Sequence, residues 1–448
     1  MNKIYKVVWS KVKHCYVVTS ELAKLQTKGC GTRSLRMATV SLGVAASLLC
    51  SGAVLPIFGE SVAEAGQVTN VDDARATADN AENSIVYGNN TGNIKEEKDD
   101  AVSLDGNTIS INITKTLHRV YGGYSSVISA YTVSGNTVNI EKGTIQTDFG
   151  DAVNGGYSTN GGTVTGNTVN VSSGSITGRV VGGCSMYGNV TGNAVNISGE
   201  MTTINGDICG GDRAVGNQGS DIGSTTDNTV VISGGNGNGD GYGGTSSYFG
   251  GDITKNKVYI DGGTITGMVT GGKTLGQGNI TNNEVHISGG TVTGSIYGGA
   301  IEGKVTGEIK GNMVEITGGI INAGKEVYGG YSIYNSVGGT GDGEGNKVVI
   351  SDDAQVNSTV VGGFSSTKEA IGNSVEISGG EATSTVYGGY SAKDAVTGNR
   401  VVITGGKAGV NAESASYIIG GYSASSGAAT DNKVTISNGT AGESRNVY

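Results

Sequence analysis

One pentapeptide, Asn-x-(Val/Ile)-x-(Val/Ile), occurs twelve times between Asn107 and Ile436. Its asparagines are Asn107, Asn136, Asn167, Asn193, Asn228, Asn256, Asn283, Asn312, Asn346, Asn373, Asn399 and Asn432, spaced 26 to 35 residues apart. A period of this length belongs to stacked or solenoidal architectures. Within a copy, alternate residues of an extended strand share a face, so Val285 and Ile287 lie opposite Glu284 and His286. The branched face recurs in all twelve copies, which is what a buried stripe requires. A Gly-Gly pair follows each of the first eleven copies, as in Val386-Tyr387-Gly388-Gly389-Tyr390, and a third element such as Ser288-Gly289-Gly290-Thr291-Val292 lies between the two. Each unit therefore reads as three short strands, with glycine pairs supplying positive φ angles at the corners.

Strands this short bury their apolar face only by stacking on neighbouring units. The spacing predicts an all-β fold, a parallel β-helix of about twelve three-stranded rungs. With paired strands about 4.8 Å apart, the rod is roughly 58 Å long. Antiparallel blades compete with this reading, but the units are short for a four-stranded blade. Composition agrees. Glycine fills 82 of 448 positions and proline one, Pro56, so a collagen repeat is excluded and no ladder is interrupted by a missing N–H. Regular branched apolar residues argue against disorder, and no helix of ordinary length fits between the glycines.

The first 65 residues read as an address. Residues 1–37 carry eight basic side chains against the single acid Glu21. An apolar stretch runs from Ala38 to Phe58, and Ala63-Glu64-Ala65 precedes Gly66, giving the three parts of a secretory signal with cleavage between Ala65 and Gly66. The opening Met1-Asn2-Lys3-Ile4-Tyr5-Lys6-Val7-Val8-Trp9-Ser10, with Val17-Val18-Thr19-Ser20-Glu21-Leu22-Ala23-Lys24, resembles the extended signal peptide region of Gram-negative type V secretion proteins, the autotransporters and two-partner exoproteins. That resemblance implies the Sec export machinery and an outer-membrane barrel as partners, and a passenger delivered to the cell surface or secreted. Two-partner exoproteins usually carry Asn-Pro motifs near the mature N-terminus, which a chain without proline after Pro56 lacks, so the autotransporter branch is favoured. Residues 66–106 are read as a polar capping segment and residues 107–448 as the repeat. The chain stops at Val447-Tyr448, where a Gly-Gly pair would be due. It is therefore expected to be the N-terminal part of a longer protein whose own C-terminal domain supplies the barrel.

Removing residues 1–65 leaves 21 basic and 36 acidic residues, a net charge near −15, so nucleic acid is not an expected partner. The remaining histidines, His118 and His286, have no partner at metal-ligand spacing. The runs Gly234–Asp240 and Gly338–Glu344 depart from the calcium nonapeptide in the position of the acid and do not repeat. No Gly-Asp-Ser-Gly run of the autotransporter proteases occurs. Hence no catalytic residue, metal or cofactor is expected, and the chain is read as a non-enzyme. The asparagines are expected to form a hydrogen-bonded ladder along the rod, and the tyrosines beside Gly-Gly to stack in register, with a carbohydrate-facing strip as the alternative. Cys184 and Cys209 lie on consecutive rungs, three positions out of register, and a disulfide joins them only if the glycine corner closes that offset. Long units carry inserts such as Asp212–Asp227 and Ser332–Gly345, polar segments without a paired carboxylate–arginine cluster, where binding is expected. The function expected is an adhesin-like rod binding host or neighbouring-cell surfaces through glycan or protein. A β-helical polysaccharide-active enzyme and a self-associating biofilm module are the alternatives.

Overall fold

The structure, a computed structural model, describes residues 5–10, 15–20, 68–72, 85–88 and 105–447, apart from 126–130, 160, 215–222, 247–249, 323, 342, 411–415 and 442–445. The chain divides into residues 1–62 and 63–448. In the first unit Tyr5–Ser10 pairs antiparallel with Cys15–Ser20, Val7 opposite Val18. The apolar stretch 38–58 and the Ala65–Gly66 cleavage site lie outside the described residues.

The second unit is a parallel β-solenoid. Its turn is clearest in the coil that starts at Asn283, with strands Glu284–Ile287, Thr291–Val292, Ile296–Ile301 and Ile309–Lys310. Each pairs in parallel with its equivalent one coil on, Val285 with Val314, Val292 with Ile321, Ile296 with Val327 and Ile309 with Val337. There are thus four strand columns per coil where three were expected. The fourth forms a separate sheet of eleven strands. Its sequence signal is a two-residue Val-Thr or Ile-Thr step ahead of the ladder asparagine, too short to show an alternation. The coil also begins before Asn107. Val68–Asp72 pairs with Thr108–Asn112, and Ile85–Tyr87 with Arg119–Tyr121, so part of the segment read as a cap belongs to the stack.

Valine and isoleucine fill the interior. Val285, Ile287, Val292 and Ile296 are at most 1 % exposed, and the same core runs unbroken from Val86 to Ile418. Each such side chain contributes about 1.5–3 kcal/mol by leaving water. A second, smaller core of Ile253, Ile280, Ile301, Ile309 and Val337 fills the space between the third and fourth columns.

Two kinds of glycine do two different jobs. In Ser-Gly-Gly corners such as Gly289-Gly290, the second glycine takes a left-handed φ of 74°, as expected. The pairs of the third column do not: from Gly122-Gly123 to Gly420-Gly421 none has a φ in that region. They lie inside extended strands, and the reason for glycine there is space. A Cβ on Gly272 would stand 2.5 Å from Cγ of Asn283, and one on Gly299 2.6 Å from Cγ of Asn312. The pair is therefore the floor on which the asparagine amide lies. The left-handed corner falls instead on the residue before each of most ladder asparagines, glycine at Gly192 and Gly398 but Lys255 and Asn282 elsewhere, with φ of 58° and 56° for the last two.

Candidate functional site

All twelve pentapeptide asparagines form one continuous chain of hydrogen bonds. Each Nδ2 donates to Oδ1 of the asparagine one coil on, at 2.7–3.1 Å from Asn107 through to Asn432. The backbone N–H of Asn283 donates to the same Oδ1 of Asn312 (3.0 Å), while its Nδ2 also reaches the carbonyl of Ile253 (2.9 Å). Both amide hydrogens and both carbonyl lone pairs are thus used. Asn283 is fully buried. These side chains close the coil and present nothing to a ligand.

The tyrosines beside the glycine pairs stack from coil to coil in two runs. Tyr87 lies on Tyr121 (5.4 Å, 12°) and Tyr124 on Tyr157 (5.6 Å, 3°). In the later coils Tyr297 lies on Tyr328 (5.3 Å, 17°), Tyr331 on Phe364 (5.3 Å, 8°) and Phe364 on Tyr390 (5.1 Å, 19°). Ring faces that would accept a sugar are thus turned towards one another. Burial pushes the Tyr297 hydroxyl up to about 12 and raises Tyr121, Tyr157 and Tyr328 in the same direction. The folded chain therefore keeps protons that the unfolded chain loses near pH 10. This contribution to stability is whole below pH 10 and falls away as pH rises from 10 towards 12. The expected result is a thermal midpoint that drops across that interval, with the phenolate absorbance of the buried, stacked tyrosines appearing together with unfolding rather than before it.

Between the two tyrosine runs lies an ion cluster that the reading of single units misses. Arg179 pairs with Asp151 at 3.1 Å and with Asp212 at 2.6 Å. The three residues belong to three successive coils and meet because the strands are in register, Arg179 opposite Asp151 and Cys184 opposite Asp212. Asp212, the first residue of an insert expected to have no carboxylate–arginine partner, is thus held by an arginine one coil earlier. The Asp212 charge raises the Arg179 guanidinium well above its ordinary value, and burial raises the Asp151 carboxyl. Cys184 and Cys209 pack beside the cluster as free, buried thiols, so the disulfide weighed between them is not made. The third column runs extended through its glycine pair, and no corner closes the three-position offset. Burial also raises both thiols well above their ordinary value, which keeps them in the unreactive protonated form.

His286 lies on the outer face of the first column between two carboxylates, Nε2 at 2.8 Å from Glu284 and Nδ1 at 2.8 Å from Glu315, and stacks on Tyr259. Among the described residues no three His, Cys, Asp or Glu side chains are grouped to hold a metal ion. In the two glycine–acid runs Asp240 accepts from the Met268 N–H (2.7 Å) and the Tyr242 hydroxyl (2.6 Å), and Glu344 from the Gly341 N–H (2.9 Å).

Among the described residues, the longest corner ahead of a ladder asparagine is the candidate binding site. In the coil from Asn283, only Gly311 stands between the fourth strand, Ile309–Lys310, and the next ladder asparagine. In the coil from Asn312, seven residues, 339–345, stand between Val337–Gly338 and Asn346. Glu344 folds this loop down. Its carboxylate takes the Gly341 N–H and meets Lys310 at 3.1 Å, and its carbonyl accepts from the Gly311 N–H at 3.2 Å. The Gly341 N–H, then Lys310, holds the Glu344 carboxyl below the usual carboxylate range. Lys310 also pairs with Glu308 at 3.0 Å. Beside the loop is a cavity of about 560 Å³ lined by Lys310, Tyr334, Asn335, Thr340, Glu344 and Lys368 among others. The insert was legible in the sequence. Lys310 and Lys368 were not, because they come from the coils before and after it.

Comparison with known proteins bears on the other end of the chain. No curated protein and no solved structure matches it. Residues 1–50 match the family described as the Extended Signal Peptide of Type V secretion system. That leader implies Sec export and outer-membrane translocation, and together with the β-solenoid it fits an autotransporter passenger. The chain thus opens with an extended signal peptide of type V secretion and continues as a parallel β-solenoid.

Proposed function

We propose that the solenoid is an adhesin-like rod, displayed at the cell surface, that binds host or neighbouring cells and catalyses no reaction. The observation that carries this is the division of labour across each coil. Inward positions of the first column are fixed as valine, isoleucine and asparagine, and the asparagine amides are spent within the rod. Outward positions of the first column vary from Asn170 to Tyr259, Glu315 and Val402. A rigid scaffold that leaves its corners free suits recognition, and repeated weak contacts along it give avidity. The carboxylates of the Arg179 cluster are tied to a guanidinium, which supports binding over proton transfer. The test compares cells with and without the gene on epithelial monolayers, with display checked by surface labelling. Deletion is expected to lower attachment several-fold. Equal attachment with intact display overturns the proposal, and loss of settling between the bacteria themselves, with attachment unchanged, moves the reading to self-association.

A further inference from the structure

We infer that the cavity beside residues 339–345 is a binding site for an uncharged pyranose of a surface glycan, an assignment that rests on the rod being a binder. The apolar core and the asparagine ladder run past the loop without a break. Val337 below it is fully buried and Asn346 beyond it keeps both ladder bonds, to Ile309 and to Asn373 at 2.9 and 3.0 Å. Other coils make the same corner with one residue, as Gly398 does between Thr397 and Asn399. Six further residues are inserted here, and Glu344 ties the described part of the loop to Gly341, Lys310 and Gly311, so that part of the cavity wall is organised before any ligand arrives.

The lining states the chemistry. The volume, about 560 Å³, is in the range of small-molecule sites and takes one or two sugar rings. Tyr334 is 39 % exposed and belongs to neither stacked run, so its ring is available as a platform for the C–H face of a pyranose. Asn335, Ser336 and Thr340 line the same space and offer amide and hydroxyl groups that both donate and accept. Lys368 is exposed and makes no ion pair among the described residues, which leaves its ammonium free to donate to a ring or hydroxyl oxygen. Lys310 is already balanced by Glu308 and Glu344. The cavity therefore alternates donors and acceptors without an excess of positive charge, and a net charge near −15 on the rod opposes an anionic ligand. Hydroxyl-rich, neutral and flat on one side is the description of a hexose.

The test exposes the exported chain to an array of immobilised neutral and acidic oligosaccharides and measures each hit by calorimetry. Neutral glycans are expected to bind, at least tenfold more tightly than their sialylated or uronic counterparts. Tyr334→Ala, on an exposed side chain, is expected to weaken binding at least tenfold. So is removal of residues 339–344, which leaves Gly345 as a one-residue corner, while Lys407→Gln on a distant coil changes nothing. Circular dichroism and the thermal midpoint report whether each variant keeps the solenoid. The inference is overturned if no neutral glycan binds, if acidic glycans bind more tightly, or if Tyr334→Ala and the loop deletion leave affinity unchanged. Attachment of cells carrying Tyr334→Ala separates the two levels. Attachment without any glycan binding leaves the adhesin reading standing and removes this site, whereas glycan binding by a rod whose deletion leaves attachment unchanged does the reverse.

Discussion

Asn283→Ala is expected to destabilise the coil around it by about 3–6 kcal/mol. The substitution removes an acceptor from two buried donors, the N–H and Nδ2 of Asn256, and a donor from the carbonyl of Ile253. Each buried group left without a partner costs about 1–3 kcal/mol, less where water enters the space vacated. Asn283→Asp is not a rescue. It returns the acceptor but sets a carboxylate oxygen where Nδ2 now faces Oδ1 of Asn312 and the Ile253 carbonyl. A solenoid unfolds in segments, so the effect is read by hydrogen exchange as well as by denaturant titration. Protection is expected to fall in the coils on either side of Asn283 and to persist near Val138 and Val401. A loss below about 1 kcal/mol, or one spread evenly along the rod, would show that the ladder does not hold adjacent coils together.

The glycines give the second large effect, and its size depends on which glycine is changed. Gly272→Ala places a methyl group 2.5 Å from Cγ of Asn283. The amide has to move, and with it the bonds just described, so a cost of about 3–5 kcal/mol is expected from overpacking and broken hydrogen bonds together. Gly398→Ala is the contrasting case. Its φ is 67°, and a Cβ there meets nothing within 4 Å. Only the left-handed backbone is penalised, by about 1–2 kcal/mol, partly offset because alanine restricts the unfolded chain. If the two variants unfolded alike, the glycine pair would be a flexible turn, as the sequence alone suggests, and not the floor under the asparagine.

The solenoid was legible in the sequence because its main signal is local. A period-2 pair of branched residues beside an invariant asparagine survives in every copy, from Ile109 and Ile111 to Val434 and Ile436. Features that depend on two coils at once were not legible. The fourth column rests on two-residue strands such as Ile280–Thr281, which no alternation marks. The purpose of Gly271-Gly272 emerges only when Asn283 is laid across it. Arg179, Asp151 and Asp212 are 28 and 33 residues apart and come together through strand register. The corner site shows the same limit, since its insert is plain in one unit but Lys310 and Lys368 are contributed by its neighbours.

The asparagine row has a direction. Every Nδ2 points to an Oδ1 in the following coil, never the preceding one, so the amide dipoles of successive layers add instead of cancelling. The row is electrically polar along the solenoid axis, its side-chain carbonyls facing earlier coils and its amino groups later ones. A layer inserted or removed by recombination preserves the row only if it enters in the same sense with its asparagine in place.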